Sequence, residues 1–315
     1  MKLQTQLTVP QENNQIDYSS EVLLVGSCFV ENIGEKLEYY KFQNLQNPFG
    51  IIFHPLAVER LVFRAINDSE FKEEDIFFHN EQWHCFEVHS VLSTSDKAVF
   101  LNSLNTSLVQ LKKYLLSASH IVFTYGTAWV YRNIESNELV ANCHKIPQQQ
   151  FKKELLSVDA VTKSIGNTIE AIKSINPATT FILTVSPVRH LKDGFVQNSQ
   201  SKAHLIAGSH QVLGSGECVH YFPSYEIVMD ELRDYRFYSE DMLHPNKTAI
   251  AIIWERFKEA WIASETNEFQ KEIGAIQAGL QHRPFNPESE AHQGFMASLQ
   301  QKIQTLQNKF PYLKF

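Results

Sequence analysis

The stretch Glu21-Val22-Leu23-Leu24-Val25-Gly26-Ser27-Cys28-Phe29-Val30 decides how this chain folds. A short, mostly apolar run rich in β-formers ends at Gly26-Ser27-Cys28. Phe29, Val30, Ile33 and Leu37 then recur at helical spacing. The unit reads as strand, tight turn, helix.

The alternation continues downstream. Asn47-Pro48-Phe49-Gly50 is a turn signal, and Pro55 opens a helix over 56–66. Residues 97–116 form an amphipathic helix, 120–125 a buried strand and 139–142 a short one. A long helix over 151–175 stops at Asn176-Pro177, a strand covers 180–185, and a helix covers 199–213. A strand at 218–222 and a helix over 246–263 close the pattern. Strands alternating with helices predict an α/β fold, a parallel sheet covered on both faces. The expected organisation is a polar arm at 1–20, an α/β domain at 21–263 and a Gln-rich helical tail at 264–315, broken by Pro284 and Pro287. Phe71, Phe77, Phe78, Trp83 and Phe86 mark 67–95 as an insertion or lid.

With 43% hydrophobic residues in 315, a sizeable core is available. A formal net charge of -7 argues against a nucleic-acid partner, which calls for a basic face. Cys28, Cys85, Cys143 and Cys218 form no C-x-x-C pair, so a disulfide framework is not expected. Residues 1–17 carry no apolar run of a signal peptide, and no window approaches the ~20 apolar residues of a membrane span. These features predict a cytoplasmic protein.

In open parallel sheets, ligands bind at the carboxyl ends of strands. The residues there are Ser27, Gly50, Gly126-Thr127-Ala128, and Ser186-Pro187-Val188-Arg189-His190. At a helix start, Ser27 gains N–H donors and a partial positive charge, which suit a nucleophile and a developing oxyanion. The plainer alternative is an N-cap serine. Asp241 and His244 lie three apart in Asp241-Met242-Leu243-His244-Pro245, just before the last core helix. There the carboxylate meets one ring nitrogen and leaves the other as general base. The thiol of Cys28 reads as pointing into the core beneath the turn. Arg189 and His190 suit an anionic substrate group, such as the phosphate of an acyl carrier, against the alternative of an arginine satisfied by carboxylates. His79, His84 and His89 are spaced by five, which fits neither one helix face nor alternate strand positions. Neither they nor His144 with Cys143 predict a metal, and no cofactor is expected. Trp254 and Trp261 read as packing.

The Gly-Ser elbow and the D-x-x-H-P ending resemble the SGNH/GDSL hydrolase superfamily. More narrowly, Gly26-Ser27-Cys28-Phe29-Val30 resembles the signature of the GSCFA domain family, with valine in place of the final alanine. Asn47-Pro48-Phe49-Gly50, Gly126-Thr127-Ala128-Trp129-Val130-Tyr131, Asn142-Cys143-His144-Lys145, Ser186-Pro187-Val188-Arg189-His190, Tyr221-Phe222-Pro223-Ser224-Tyr225-Glu226 and Asp234-Tyr235-Arg236-Phe237-Tyr238 follow in order, and the likeness covers about residues 20–263. The resemblance implies a three-layer α/β/α sandwich in which Ser27 attacks an acyl carbonyl, His244 takes its proton and Asp241 orients His244. It also implies an oxyanion hole of the Ser27 and Gly50 N–H groups and a third donor, an asparagine in the superfamily. Gly126-Thr127-Ala128 lacks that asparagine, so Asn142 or Thr127 substitutes, or the hole has two donors.

The expected function is therefore ester hydrolysis or O-acyl transfer on a small acyl ester, on a carbohydrate by preference. The alternative is a catalytically silent glycan- or protein-binding module on the same fold. A chelator-sensitive hydrolase at His144 is a third option.

Overall fold

The computed structural model describes residues 5–213 and 218–315. The first four residues of the polar arm lie outside the described residues.

In chain order, the opening unit is β1 (Glu21–Gly26) and α1 (Cys28–Tyr39), followed by β2 (Gln43–Gln46) and α2 (Pro55–Ile66). A hairpin, β3 (Phe77–His79) and β4 (Gln82–His84), occupies the aromatic segment. Next come α3 (Lys97–Ser117), β5 (His120–Tyr125), β6 (Trp129–Asn133), β7 (Leu139–Val140), β8 (Phe151–Leu155) and α4 (Val158–Ile175). The chain continues through β9 (Thr180–Val185), α5 (Phe195–Leu213), β10 (Val219–Tyr221) and a short helix, α6 (Ser224–Glu226). It ends in α7 (Lys247–Trp261), α8 (Asn267–Gln281) and α9 (Glu290–Lys309).

The central sheet runs β10-β9-β5-β1-β2, with every pairing parallel. Counting only these strands, the order is the 2-1-3-4-5 of doubly wound sheets, whose switch point lies between β1 and β5. Alternation along each strand makes the layers. Leu23, Val25, Ile121, Phe123, Phe181 and Leu183 face one core, which α2, α3, α4 and α5 close. Val22, Leu24, Val122 and Ile182 face the other, closed by α1 and α7. The expected three-layer α/β/α sandwich is what forms. Trp254 and Trp261 are buried in the second core.

Three local readings need correction. The helix expected over 151–175 starts only at Val158, with Ser157 accepting the Ala160 N–H as its cap. Phe151–Leu155 is instead a strand, paired antiparallel with β6 in a small sheet. Its Lys152 and Lys153 are exposed, so the helical spacing there carried no buried face. Strands β2 and β6 went unseen because both are short and half-polar.

The arm and tail lie on the second core. Ile16 is fully buried and bridges to Ile262, while Ile273, Ile276, Leu299, Ile303 and Leu306 bury the inner faces of α8 and α9. No helix among the described residues is long and apolar enough to cross a membrane.

Candidate active site

Gly26 makes the elbow between β1 and α1. Its φ is +148°, and a Cβ there would stand 2.1 Å from the Thr124 carbonyl oxygen of β5. Only glycine lets the strands approach so closely while the chain turns. Asn47, itself at φ +40°, braces the turn: its Oδ1 accepts the Gly26 N–H at 2.9 Å and its Nδ2 donates to Glu31 at 3.1 Å.

Ser27 sits at the N-cap position of α1, yet its hydroxyl makes no cap bond. The side chain is fully buried and Oγ has no partner. An orphaned buried hydroxyl costs about 1–3 kcal/mol and calls for a reason. The Ser27 N–H donates to Thr124 O at 2.9 Å.

Asp241 and His244 meet as the D-x-x-H spacing leads one to expect. Asp241 Oδ2 lies 2.6 Å from His244 Nδ1, and Oδ1 accepts the N–H groups of Leu243 and His244 at 2.9 and 3.0 Å. Those backbone donors, then the imidazole, hold the Asp241 carboxyl down to about 2. The turn carries strain, with Met242 at φ +59°. It is tied down by Ser239 N–H donating to His244 O and Arg189 N–H donating to Leu243 O. Both side chains of the pair are about half exposed, at 45% and 49%, so the site opens to solvent.

The other end of the imidazole does not meet Ser27. His244 Nε2 faces Cys28 Sγ at 3.8 Å, a contact long for nitrogen or oxygen but ordinary for sulfur. Cys28 is thus not core-facing, as the sequence reading had it; it is only part-buried. Burial, then Glu31, raises its thiol, while Lys202 and the Cys28 and Phe29 N–H groups pull the other way. Helix geometry explains the swap. Ser27 lies three and seven residues before the buried Val30 and Gly34, whereas Cys28 lies three and seven before the more exposed Glu31 and Glu35.

Behind the elbow is a second ring of groups. A Cβ on Gly126 would lie 2.9 Å from the Phe53 ring, 3.2 Å from Ser27 Cβ and 3.3 Å from His190 Nε2. His190 Nε2 is buried without a partner, and its ring meets Phe53 edge-on. Burial, then Lys202 and His244, holds His190 down to about 3, so it is neutral. Lys202 of α5 is buried and donates to Gly126 O at 2.7 Å and Ser186 O at 2.6 Å. The sequence reading missed it. The signal was there: Lys202 falls on the same helical face as Asn198, Leu205, Ser209 and Val212.

The remaining expected residues scatter. The Gly50 N–H donates to Asn47 O, and those of Gly126 and Thr127 to Phe53 O. With Ser27 N–H also engaged, these backbone donors are used within the fold rather than held for an oxyanion. Thr127 Oγ1 pairs with Ser201 at 3.0 Å. Asn142 accepts the His144 N–H and lines a separate cleft of about 420 Å³ with His84, His144 and Lys145. Among the described residues Arg189 forms no ion pair with a carboxylate: its Nη2 donates to Tyr238 OH at 2.9 Å and its guanidinium lies over the Tyr238 ring. The aromatic segment splits, Phe71 entering the first core and Phe77 with Phe86 packing beside Val140, Ile146 and Phe151.

The model of the GSCFA family matches residues 21–257, and that of the GSCFA domain protein C-terminal domain matches 273–315. The chain belongs to the GSCFA family. Among solved structures, this GSCFA protein is similar to a Clostridium thermocellum family 3 carbohydrate esterase, at 10% identity and TM-score 0.35 over 81% of this chain and 98% of that one. It is also similar to an acetyl xylan esterase from the rumen bacterium Butyrivibrio proteoclasticus, at 9% identity and TM-score 0.40 over 78% of this chain and 65% of that one. A search of curated proteins found no match.

Proposed function

We propose that this protein transfers acyl groups from an ester, by hydrolysis or to another hydroxyl, with Cys28 as nucleophile, His244 as general base and Asp241 as its orienter. One observation carries the reading: Asp241, His244 and Cys28 stand in line at 2.6 and 3.8 Å, at the carboxyl end of β1 beside the switch point. Asp241 holds the Nδ1–H tautomer, which leaves Nε2 to accept a proton. With the thiol raised by burial, the proton moves during attack rather than beforehand.

The sulfur adds to the ester carbonyl as its proton passes to His244. The N–H groups of Cys28 and Phe29, in the first turn of α1, favour the Cys28 thiolate and suit the resulting oxyanion. Collapse expels the alkoxide, which takes the proton from His244 and leaves a thioester on Cys28. Water or an acceptor hydroxyl, deprotonated by the same imidazole, releases the acyl group. The confined space at Gly126 favours a small acyl group, and the half-exposed dyad favours a bulky polar alcohol such as a carbohydrate.

Ser27 is the second reading. Its hydroxyl has no partner, so turning toward His244 breaks no hydrogen bond. The deciding experiment is hydrolysis of p-nitrophenyl acetate and butyrate by wild type, Cys28→Ala and Ser27→Ala, with the trapped acyl adduct located by peptide mass. Loss of turnover and adduct in Cys28→Ala alone supports the first reading. Loss in Ser27→Ala alone shifts the attack to the hydroxyl. Equal turnover in all three removes the elbow from the chemistry, and no turnover in any of them favours the silent binding module.

A further inference from the structure

A buried cation stands behind the elbow with no carboxylate partner among the described residues. Lys202 is 1% exposed, and its ammonium donates to two carbonyl oxygens, Gly126 O just beyond β5 and Ser186 O just beyond β9. No carboxylate pairs with it in any ion pair among the described residues. A buried charge held by neutral acceptors alone is a standing cost, and a neutral donor would clip two carbonyls together more cheaply. The cost is repaid when negative charge arrives. The titratable groups facing Lys202 are Cys28 on α1 and His190 after β9; Glu31 faces Cys28 and His244 faces His190. The two residues of the site with an orphaned buried atom, Ser27 and His190, border the glycine whose carbonyl Lys202 holds, through Ser27 Cβ and His190 Nε2.

We propose that Lys202 is a positioning residue of the acyl-transfer centre: its ammonium fixes Gly126 and Ser186 and stabilises negative charge developing on the Cys28 sulfur and the substrate oxygen. The proposal rests on the acyl-transfer reading, and it supplies the charge that the missing asparagine and the spent backbone donors do not. Burial pulls the lysine down to about 7, so its field is present below that pH and fades above it.

The test is the rate of Cys28 alkylation by iodoacetamide, followed by peptide mass from about pH 5.5 to 9.5, in wild type, Lys202→Met and Lys202→Gln. Below pH 6 wild type should react several-fold faster than either variant, since a nearby cation raises the thiolate fraction. The advantage should shrink through pH 7 and vanish near pH 9. The wild-type profile should itself flatten near pH 7, a readout that requires no variant to fold. Equal rates below pH 6 in wild type and both variants, with no flattening of the wild-type profile, overturn the proposal by reducing Lys202 to a structural clip. Alkylation senses the field at Cys28 whether or not any ester is turned over. A failure of the ester experiment with an intact alkylation profile therefore sinks the acyl-transfer reading and not the electrostatics of Lys202.

Discussion

His244 Nε2 faces the sulfur of Cys28 at 3.8 Å across a separation of 216 residues, while the hydroxyl of neighbouring Ser27 is sealed in the core without a partner. Two adjacent residues at one elbow thus have different environments, and the orienting carboxylate of Asp241 serves the one that faces outward.

Asp241→Asn tests that orienting role. An asparagine Oδ1 can still accept the Leu243 and His244 N–H groups, so the turn persists. The amide donates where the carboxylate accepted, which inverts the imidazole tautomer. The expected outcome is a fall in kcat of about 10²–10⁴ with little change in KM and an unaltered thermal melt. An unchanged kcat would remove Asp241 from the mechanism.

Acid should weaken the fold through its buried imidazoles. His54 caps α2, its Nδ1 accepting the Ala57 N–H and its Nε2 facing Val140 O, each at 3.2 Å. Burial holds its pKa down to about 4. The unfolded chain binds that proton near pH 6.5, so the stability is complete above about 6.5 and is lost as pH falls toward 4. The ceiling is on the order of 3 kcal/mol. Urea unfolding at pH 7.5 and 5 measures it. His54→Gln should flatten part of the slope; an identical slope in the variant would assign the effect elsewhere.

The two glycines of the site should respond unequally to alanine. Gly26→Ala meets backbone at 2.1 Å with φ at +148° and should destabilise by about 3 kcal/mol or more. Gly126→Ala meets mainly side chains, at 2.9–3.3 Å, which can shift. Its cost should stay near ~1 kcal/mol. Its added methyl narrows the acyl space, so kcat/KM should fall more for butyrate than for acetate. Chemical denaturation and the two p-nitrophenyl esters report these separately.

Much of this architecture was legible from local pattern. The apolar runs at β1, β5 and β9 and the periodicities of α1, α3 and α7 specify burial within a few residues of chain, and so did the Asp241–His244 pair, three apart in one turn. Phe151–Leu155 misled because five residues beside a long helix carry too little periodicity to separate strand from helix.

By itself the sequence determined the layers, the elbow and the Asp–His dyad, because each is written in residues that touch along the chain. Only the tertiary structure decided that Cys28 rather than Ser27 faces His244, that Asn142 belongs to another cleft, and that Lys202 lies behind the elbow. The physical reason is that such contacts join segments far apart in sequence. Their distances follow from how α1, α5 and the loop before α7 pack against the ends of one sheet, not from the local preference of any of them.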